Sequence, residues 1–121
     1  MKKFVTLLLC MLPVSLFAQV NDGIRQAMDN YDYETVVTLI EPDCQDSLLL
    51  ITKAQALKAM NRYPEAIGVL NSLILKDSTN TKVLIDLAEC YKLTGNSRRA
   101  ANCYQKAMNL QPENKFFRLQ F

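Results

Sequence analysis

Apolar residues in the second half of the chain recur at intervals of three and four residues. One set consists of Val83, Leu84, Leu87, Ala88 and Tyr91, and its spacing makes one apolar stripe along a helix. A second set consists of Ala100, Ala101, Tyr104, Ala107 and Met108, and the next predicted helix runs through it. Gly95 lies between the two sets and is typical of a helix end, because glycine adopts the left-handed conformation without strain. Asn96 and Ser97 can cap the helix that follows, and Pro112 ends it.

The same pattern occurs 34 residues earlier in the chain. The segment 84–91 aligns with the segment 50–57, and Ala100 aligns with Ala66. Asn61 takes the place of Gly95, which is compatible with a helix end because asparagine tolerates the left-handed conformation. Pro64 falls in the first turn of the next helix, where its missing N–H costs least. Repetition at this period is a signature of stacked helical hairpins, which we therefore predict for residues 47–80 and 81–114.

A degenerate copy of the repeat precedes these two units, at residues 20–46. Residues 33–40 have the pattern of a second hairpin helix that Pro42 closes, and Asn21 to Met28 would supply a short first helix. Terminal repeats are commonly atypical because one of their faces has no neighbour.

The quoted residues resemble the tetratricopeptide repeat. The match rests on Leu84, Leu87, Ala88, Tyr91, Ala100, Tyr104 and Pro112. Residues 47–80 depart from the pattern at Lys53 and Ser78, and both units have leucine where an aromatic residue often opens the motif. The resemblance implies an all-α fold, a right-handed superhelix (α-solenoid) of about three antiparallel helix-turn-helix repeats. It also implies a scaffold that binds a protein or peptide without catalysing a reaction.

In this family the first helix of each repeat lines the concave side, and matching residue to residue carries its groove positions to this chain. The carried-over positions are Leu48, Ile51, Gln55 and Lys58 in one repeat, and Lys82, Ile85, Glu89 and Lys92 in the next. The resulting hypothesis is a shallow groove with an apolar floor and a basic rim that binds a helix or an extended peptide. The alternative is that Lys58 and Lys92 are solvated lysines whose stems cover apolar surface. Thr52 and Asp86 replace the polar amides or cations with which some family members hold a terminal carboxylate, so that mode is not expected.

The N-terminus has the pattern of a secretory signal peptide over residues 1–18. Lys2 and Lys3 precede an apolar run, and Ala18-Gln19 is a plausible cleavage site. We therefore expect an exported protein, in the periplasm or associated with the envelope, with no membrane insertion after cleavage. An uncleaved anchor and a lipid anchor on Cys10 are the alternatives.

Removal of the signal peptide changes the charge balance. The chain has 14 basic and 12 acidic residues, and the loss of Lys2 and Lys3 leaves 12 of each. A chain without net charge, with Arg98-Arg99 as its one adjacent basic pair after cleavage, lacks the basic surface of a nucleic-acid binder. Cys90 and Cys103 fall in the two helices of one hairpin, so a disulfide is conceivable, but we favour two small buried side chains.

The C-terminal segment 115–121 is in register with the start of a capping helix or of a further repeat. Its apolar residues form a possible assembly face, made of Phe116, Phe117, Leu119 and Phe121. Three interpretations remain open: the chain is a fragment of a longer array, the segment folds back as a minimal cap, or the segment docks on a partner. The alternatives to a groove-binding scaffold are therefore a self-stacking assembly element and a sensory module of a larger signalling protein.

The sequence offers no candidate catalytic, metal-binding or cofactor-binding residues. The chain has no histidine to serve as a base for a cysteine or serine nucleophile, and it has no glycine-rich phosphate loop. We therefore predict that the protein is not an enzyme and needs no cofactor.

Overall fold

The computed structural model describes residues 21–113, and this part of the chain is helical throughout apart from short connections. It contains α1 (21–29), α2 (Tyr33–Leu39), α3 (Ser47–Ala59), α4 (Tyr63–Lys76), α5 (Thr81–Leu93) and α6 (Ser97–Leu110). The predicted signal peptide and the predicted assembly face at residues 116–121 lie outside the described residues.

Three connections with the same geometry join α1 to α2, α3 to α4 and α5 to α6. In each connection one residue has a positive φ: Tyr31 at 58°, Asn61 at 60° and Gly95 at 83°. The N–H of the next residue donates to a carbonyl oxygen five residues earlier. These bonds join Asp32 to Ala27, Arg62 to Leu57 and Asn96 to Tyr91, at 2.8, 2.9 and 2.8 Å. This is the bonding of a helix that ends on a left-handed residue, so the three hairpins reverse the chain in the same way.

Side-chain caps fix where the helices begin. Asp46 accepts from the N–H of Leu48 at 3.0 Å at the start of α3, and Asn80 accepts from the N–H of Val83 at 3.2 Å at the start of α5. Asn96 caps α6, as predicted, whereas Ser97 is the first residue of that helix rather than a cap. Each cap satisfies a backbone donor that the first turn of a helix leaves without an intrahelical partner.

Buried alanines occur on both helices of the α3–α4 and α5–α6 hairpins. They are Ala54 and Ala66 in the α3–α4 hairpin, and Ala88 and Ala100 in the α5–α6 hairpin. Because alanine has a single methyl group, these positions allow paired helices to approach closely, and larger side chains such as Leu57 and Leu70 are buried in the same core.

The hairpins stack on one another through a core that continues across the repeats. One cluster of buried side chains joins α3, α4, α5 and α6, and a second joins α1 and α2 to Ala56 of α3. Between hairpins, α2 packs on α3, and α4 packs on α5. The predicted fold class is confirmed: the protein is an all-α solenoid, a right-handed superhelix of antiparallel helical hairpins.

None of the helices within residues 21–113 combines the length and the apolar character needed to cross a membrane.

Candidate functional site

The eight residues that the sequence suggested for a groove lie on two helices, four on α3 and four on α5. We call the surface formed by these eight residues together with Asp86 the α3–α5 face. Lys58 joins the two helices directly, because its ammonium group binds carboxylates on α5. The first helices of the two repeats are therefore neighbours on this face.

The apolar residues of the α3–α5 face differ in how much surface they offer. Leu48 is 76% exposed. Ile51 and Ile85 are only partly buried, and both pack with their inner surface against the main core. A partner could therefore cover all three side chains, of which Leu48 offers the largest exposed fraction.

An open cleft of about 630 Å³ adjoins this apolar surface near the start of α5. Lys82, Ile85 and Asp86 of α5 line it, together with residues 79–81 and Gln111. Two of the eight suggested residues, Lys82 and Ile85, therefore border a concave part of the surface.

A cluster of three charged residues lies in the middle of the α3–α5 face. The Nζ atom of Lys58 donates to Oε2 of Glu89 at 2.8 Å and to Oδ1 of Asp86 at 3.4 Å. The side chains of Lys58, Asp86 and Glu89 are 21, 17 and 41% exposed. Partial burial strengthens such contacts, because less water screens the charges than at an open surface.

The cluster favours the charged form of Lys58. Burial alone would lower the pKa of this lysine, but the hydrogen bond that Lys58 donates to Glu89 and the negative charges of Asp86 and Glu89 outweigh that effect and raise the pKa. The cluster also affects the pKa of Tyr104 on α6. Burial raises the pKa of its phenol, and the charge of Glu89 raises it further.

The structure changes the interpretation of the basic rim. Lys58 is held between two carboxylates, whereas Lys82 and Lys92 are exposed near the two ends of α5. The repeat relates residues 34 positions apart, whereas the cluster joins Lys58 to residues 28 and 31 positions later, so the repeat pattern did not indicate it. Opposite charges on the matched faces of α3 and α5 were the signal that could have revealed it.

The three cysteines of the described residues carry free thiols and differ in accessibility. Cys44 is partly exposed and borders a second cleft, of about 450 Å³, on the α3–α4 hairpin. Cys90 and Cys103 are buried, and burial raises the pKa of both thiols. Residues 21–113 contain no group of acidic, cysteine and histidine side chains that could hold a metal ion.

A comparison with protein-family models identifies the fold family. The model described as "Tetratricopeptide repeat" matches residues 57–120, which is more than half of the chain. The chain belongs to the tetratricopeptide repeat family. Lys58 and all four suggested residues of α5 lie within the matched range.

A curated relative extends the similarity in sequence. The chain is 35% identical over 86 residues to the DnaJ homolog subfamily C member 7 homolog of Dictyostelium discoideum. The alignment covers 69% of this chain but only 16% of that relative. The tetratricopeptide similarity therefore concerns a small part of a much longer protein.

Solved structures share the fold at low sequence identity. PcrH in complex with the chaperone binding region of PopB has a TM-score of 0.68 at 14% identity, covering 83% of this chain and 84% of that one. The type III secretion translocator chaperone SycD of Yersinia enterocolitica has a TM-score of 0.68 at 19% identity, with 91 and 85% covered. MamA has a TM-score of 0.65 at 18% identity, with 77 and 57% covered.

Proposed function

We propose that the protein is an exported, non-catalytic scaffold that binds a protein or peptide segment on its α3–α5 face. The observations that support the proposal are an exposed leucine on α3, Leu48, and an open cleft beside Ile85 of α5. A folded chain that leaves large apolar side chains uncovered on one face gains free energy when a partner covers them. An open surface of this kind suits docking rather than the enclosed chemistry of an enzyme.

The similar structures support this proposal at the level of the fold. PcrH, which shares the stacked-hairpin architecture, binds the chaperone binding region of PopB, and SycD is a translocator chaperone. A solenoid of this size is thus able to hold a partner segment. The buried state of Cys90 and Cys103, with raised thiol pKa values, also supports a role without covalent chemistry, because a thiolate is the reactive form.

The binding test uses one substitution on the face and a matched one elsewhere. Leu48→Ser removes an exposed side chain from the α3–α5 face, so it changes stability little. Leu75→Ser makes the same chemical change at a residue that is 89% exposed on α4, outside that face. Partners are captured from an envelope extract, identified by mass spectrometry, purified and titrated against the three proteins. We expect Leu48→Ser to weaken binding about tenfold and Leu75→Ser to leave it unchanged.

Ile51→Ser/Ile85→Ser extends the same test, provided that melting shows the variant to be folded. Equal affinity of the parent protein, Leu48→Ser and the double variant would overturn the proposed binding face. If the protein also forms concentration-dependent dimers in sedimentation, the assembly alternative through Phe116, Phe117, Leu119 and Phe121 takes its place.

Export is the part of the proposal that rests on the N-terminal sequence pattern. The expected result is a protein in the envelope fraction whose intact mass corresponds to a chain that begins at Gln19. A cytosolic protein of full mass would contradict export. A membrane-bound protein that retains residues 1–18 would support the uncleaved anchor instead, and a mass increased by a lipid on Cys10 would support the lipid anchor.

A further inference from the structure

The charges at the centre of the α3–α5 face do not balance. Lys58 supplies one positive charge, and Asp86 and Glu89 supply two negative charges. The ammonium group of Lys58 donates to Glu89 at 2.8 Å and to Asp86 at 3.4 Å. A carboxylate of a partner would therefore have to compete with these two carboxylates for Lys58. Glu89 is 41% exposed and can accept further hydrogen bonds from a partner.

Two further lysines flank the cluster on the same helix. Lys82 and Lys92 lie four residues before Asp86 and three residues after Glu89, and both are exposed. Neither lies within 4.0 Å of either carboxylate, so water and salt screen their charges more than those of the half-buried cluster. The centre of the face is therefore acidic, and its two ends are basic.

We propose that Asp86 and Glu89 determine the charge preference of the α3–α5 face. By occupying Lys58 they reject a segment with a central carboxylate and select an apolar segment that carries a central lysine or arginine. This inference rests on the proposed function, because it concerns the partner of the same surface. The incoming cation binds beside Glu89, while the apolar side chains of the segment cover Leu48, Ile51 and Ile85.

Three labelled peptides of one design test the preference. All have leucines spaced three and four residues apart, and they differ only at a central position that is lysine, glutamine or glutamate. Fluorescence anisotropy gives their dissociation constants with the purified protein at low and high salt. We expect the lysine peptide to bind about fivefold more tightly than the glutamate peptide at low salt, and the difference to shrink at high salt.

Two variants change the cluster in opposite directions. Asp86→Asn/Glu89→Gln removes the two carboxylates that bind Lys58. The order of the peptide affinities should therefore reverse, with the glutamate peptide binding most tightly. Lys58→Gln leaves both carboxylates without their cation, so the preference for the lysine peptide should increase. Melting curves establish that each variant is folded before its affinities are compared.

A matched control separates local charge from net charge. Glu41→Gln/Glu113→Gln removes two exposed carboxylates outside the α3–α5 face and changes the net charge by the same amount as Asp86→Asn/Glu89→Gln. In this control variant, the three peptides must have the same order of affinity as in the parent protein. If the order of the three peptide affinities is the same in all variants, the inference is overturned, while the proposed function stays in place. Failure of every peptide to bind any of the proteins would count against the proposed function itself, and the inference would fall with it.

Discussion

Tyr31 occupies a backbone conformation that suits few residue types. Its φ is 58°, and it holds the same place in its turn as Asn61 and Gly95 in theirs. A bulky residue in the left-handed region carries roughly 1–2 kcal/mol of strain, which asparagine and glycine largely avoid. The ring of Tyr33 packs against that of Tyr31 edge to face, with 6.4 Å between centroids, and offsets part of this cost. The hairpin therefore imposes a positive φ on Tyr31, although tyrosine disfavours this conformation.

Substitution of this tyrosine tests the strain directly. We expect Tyr31→Gly to stabilise the protein by roughly 0.5–1 kcal/mol. The relief of backbone strain should exceed the combined cost of losing the ring contact and of giving the unfolded chain more conformational freedom. Urea denaturation followed by circular dichroism measures the change. Gly95→Ala is the converse control, since it places a Cβ on a residue with a φ of 83° where no atom crowds the new group. It should destabilise by about 1 kcal/mol. A loss of stability in Tyr31→Gly would show that the ring contact outweighs the strain.

The three thiols of the described residues should react at very different rates. Cys44 is partly exposed, whereas Cys90 and Cys103 are buried and have raised pKa values. Since alkylation needs an accessible thiolate, iodoacetamide should modify Cys44 first in the native protein and reach the other two only after unfolding. Peptide mass mapping against time gives the three rates, with a sample in denaturant as the control. Native labelling of Cys90 as fast as that of Cys44 would contradict the burial.

At the scale of the helix, the hairpins depend on small residues where paired helices meet. Ala88 of α5 is 0% exposed, so a larger side chain there must push α6 away or strain its own rotamer. We expect Ala88→Leu to lower the free energy of unfolding by about 1–3 kcal/mol, measured by urea denaturation. Ala101→Leu is the matched control, because it makes the same change at an exposed position of α6, and leucine is nearly as good a helix former as alanine. Equal effects of the two substitutions would count against close packing as the cause.

The helices were predictable where local signals mark their ends. Asn61 and Gly95 occupy the left-handed positions that the sequence assigned to them, and Pro64 lies in the first turn of α4. Tyr31 was not predicted, because tyrosine gives no signal for a left-handed turn and only the stacking of the first hairpin imposes one. The division of the chain into repeats at residues 47 and 81 stays a prediction.

The site was less predictable than the fold, because its central contact joins different repeats. Matching each residue to its equivalent one period later gave Lys58 and Lys92 as members of a basic rim. It did not indicate the ion pairs of Lys58, which run from the end of α3 to the middle of α5, at Asp86 and Glu89. Such a diagonal contact depends on the angle between stacked hairpins, which periodicity alone does not give. The binding role of the remaining residues of the α3–α5 face stays a prediction.

At the scale of the whole molecule, one core cluster runs through α3, α4, α5 and α6. Removal of either hairpin would leave the apolar face of the other in water, so neither is expected to be stable alone. Conditions that weaken one contact between the two hairpins therefore affect the stability of the whole stack.

Alkaline pH is such a condition, and its effect follows from four groups in the α3–α6 stack. Lys58, Cys90, Cys103 and Tyr104 all have pKa values raised above their ordinary values of 10.5, 9.0, 9.0 and 10.0. The folded protein therefore holds these protons more tightly than the unfolded chain does. Stability from this source is complete below the ordinary pKa values and is lost as the pH rises through the raised ones. We expect the free energy of unfolding, measured by urea denaturation in reducing buffer, to fall from about pH 9 upward. Lys58→Gln should show a shallower decline above about pH 10.5, because its proton no longer contributes, and a free energy that stays constant over this range would contradict the assignment.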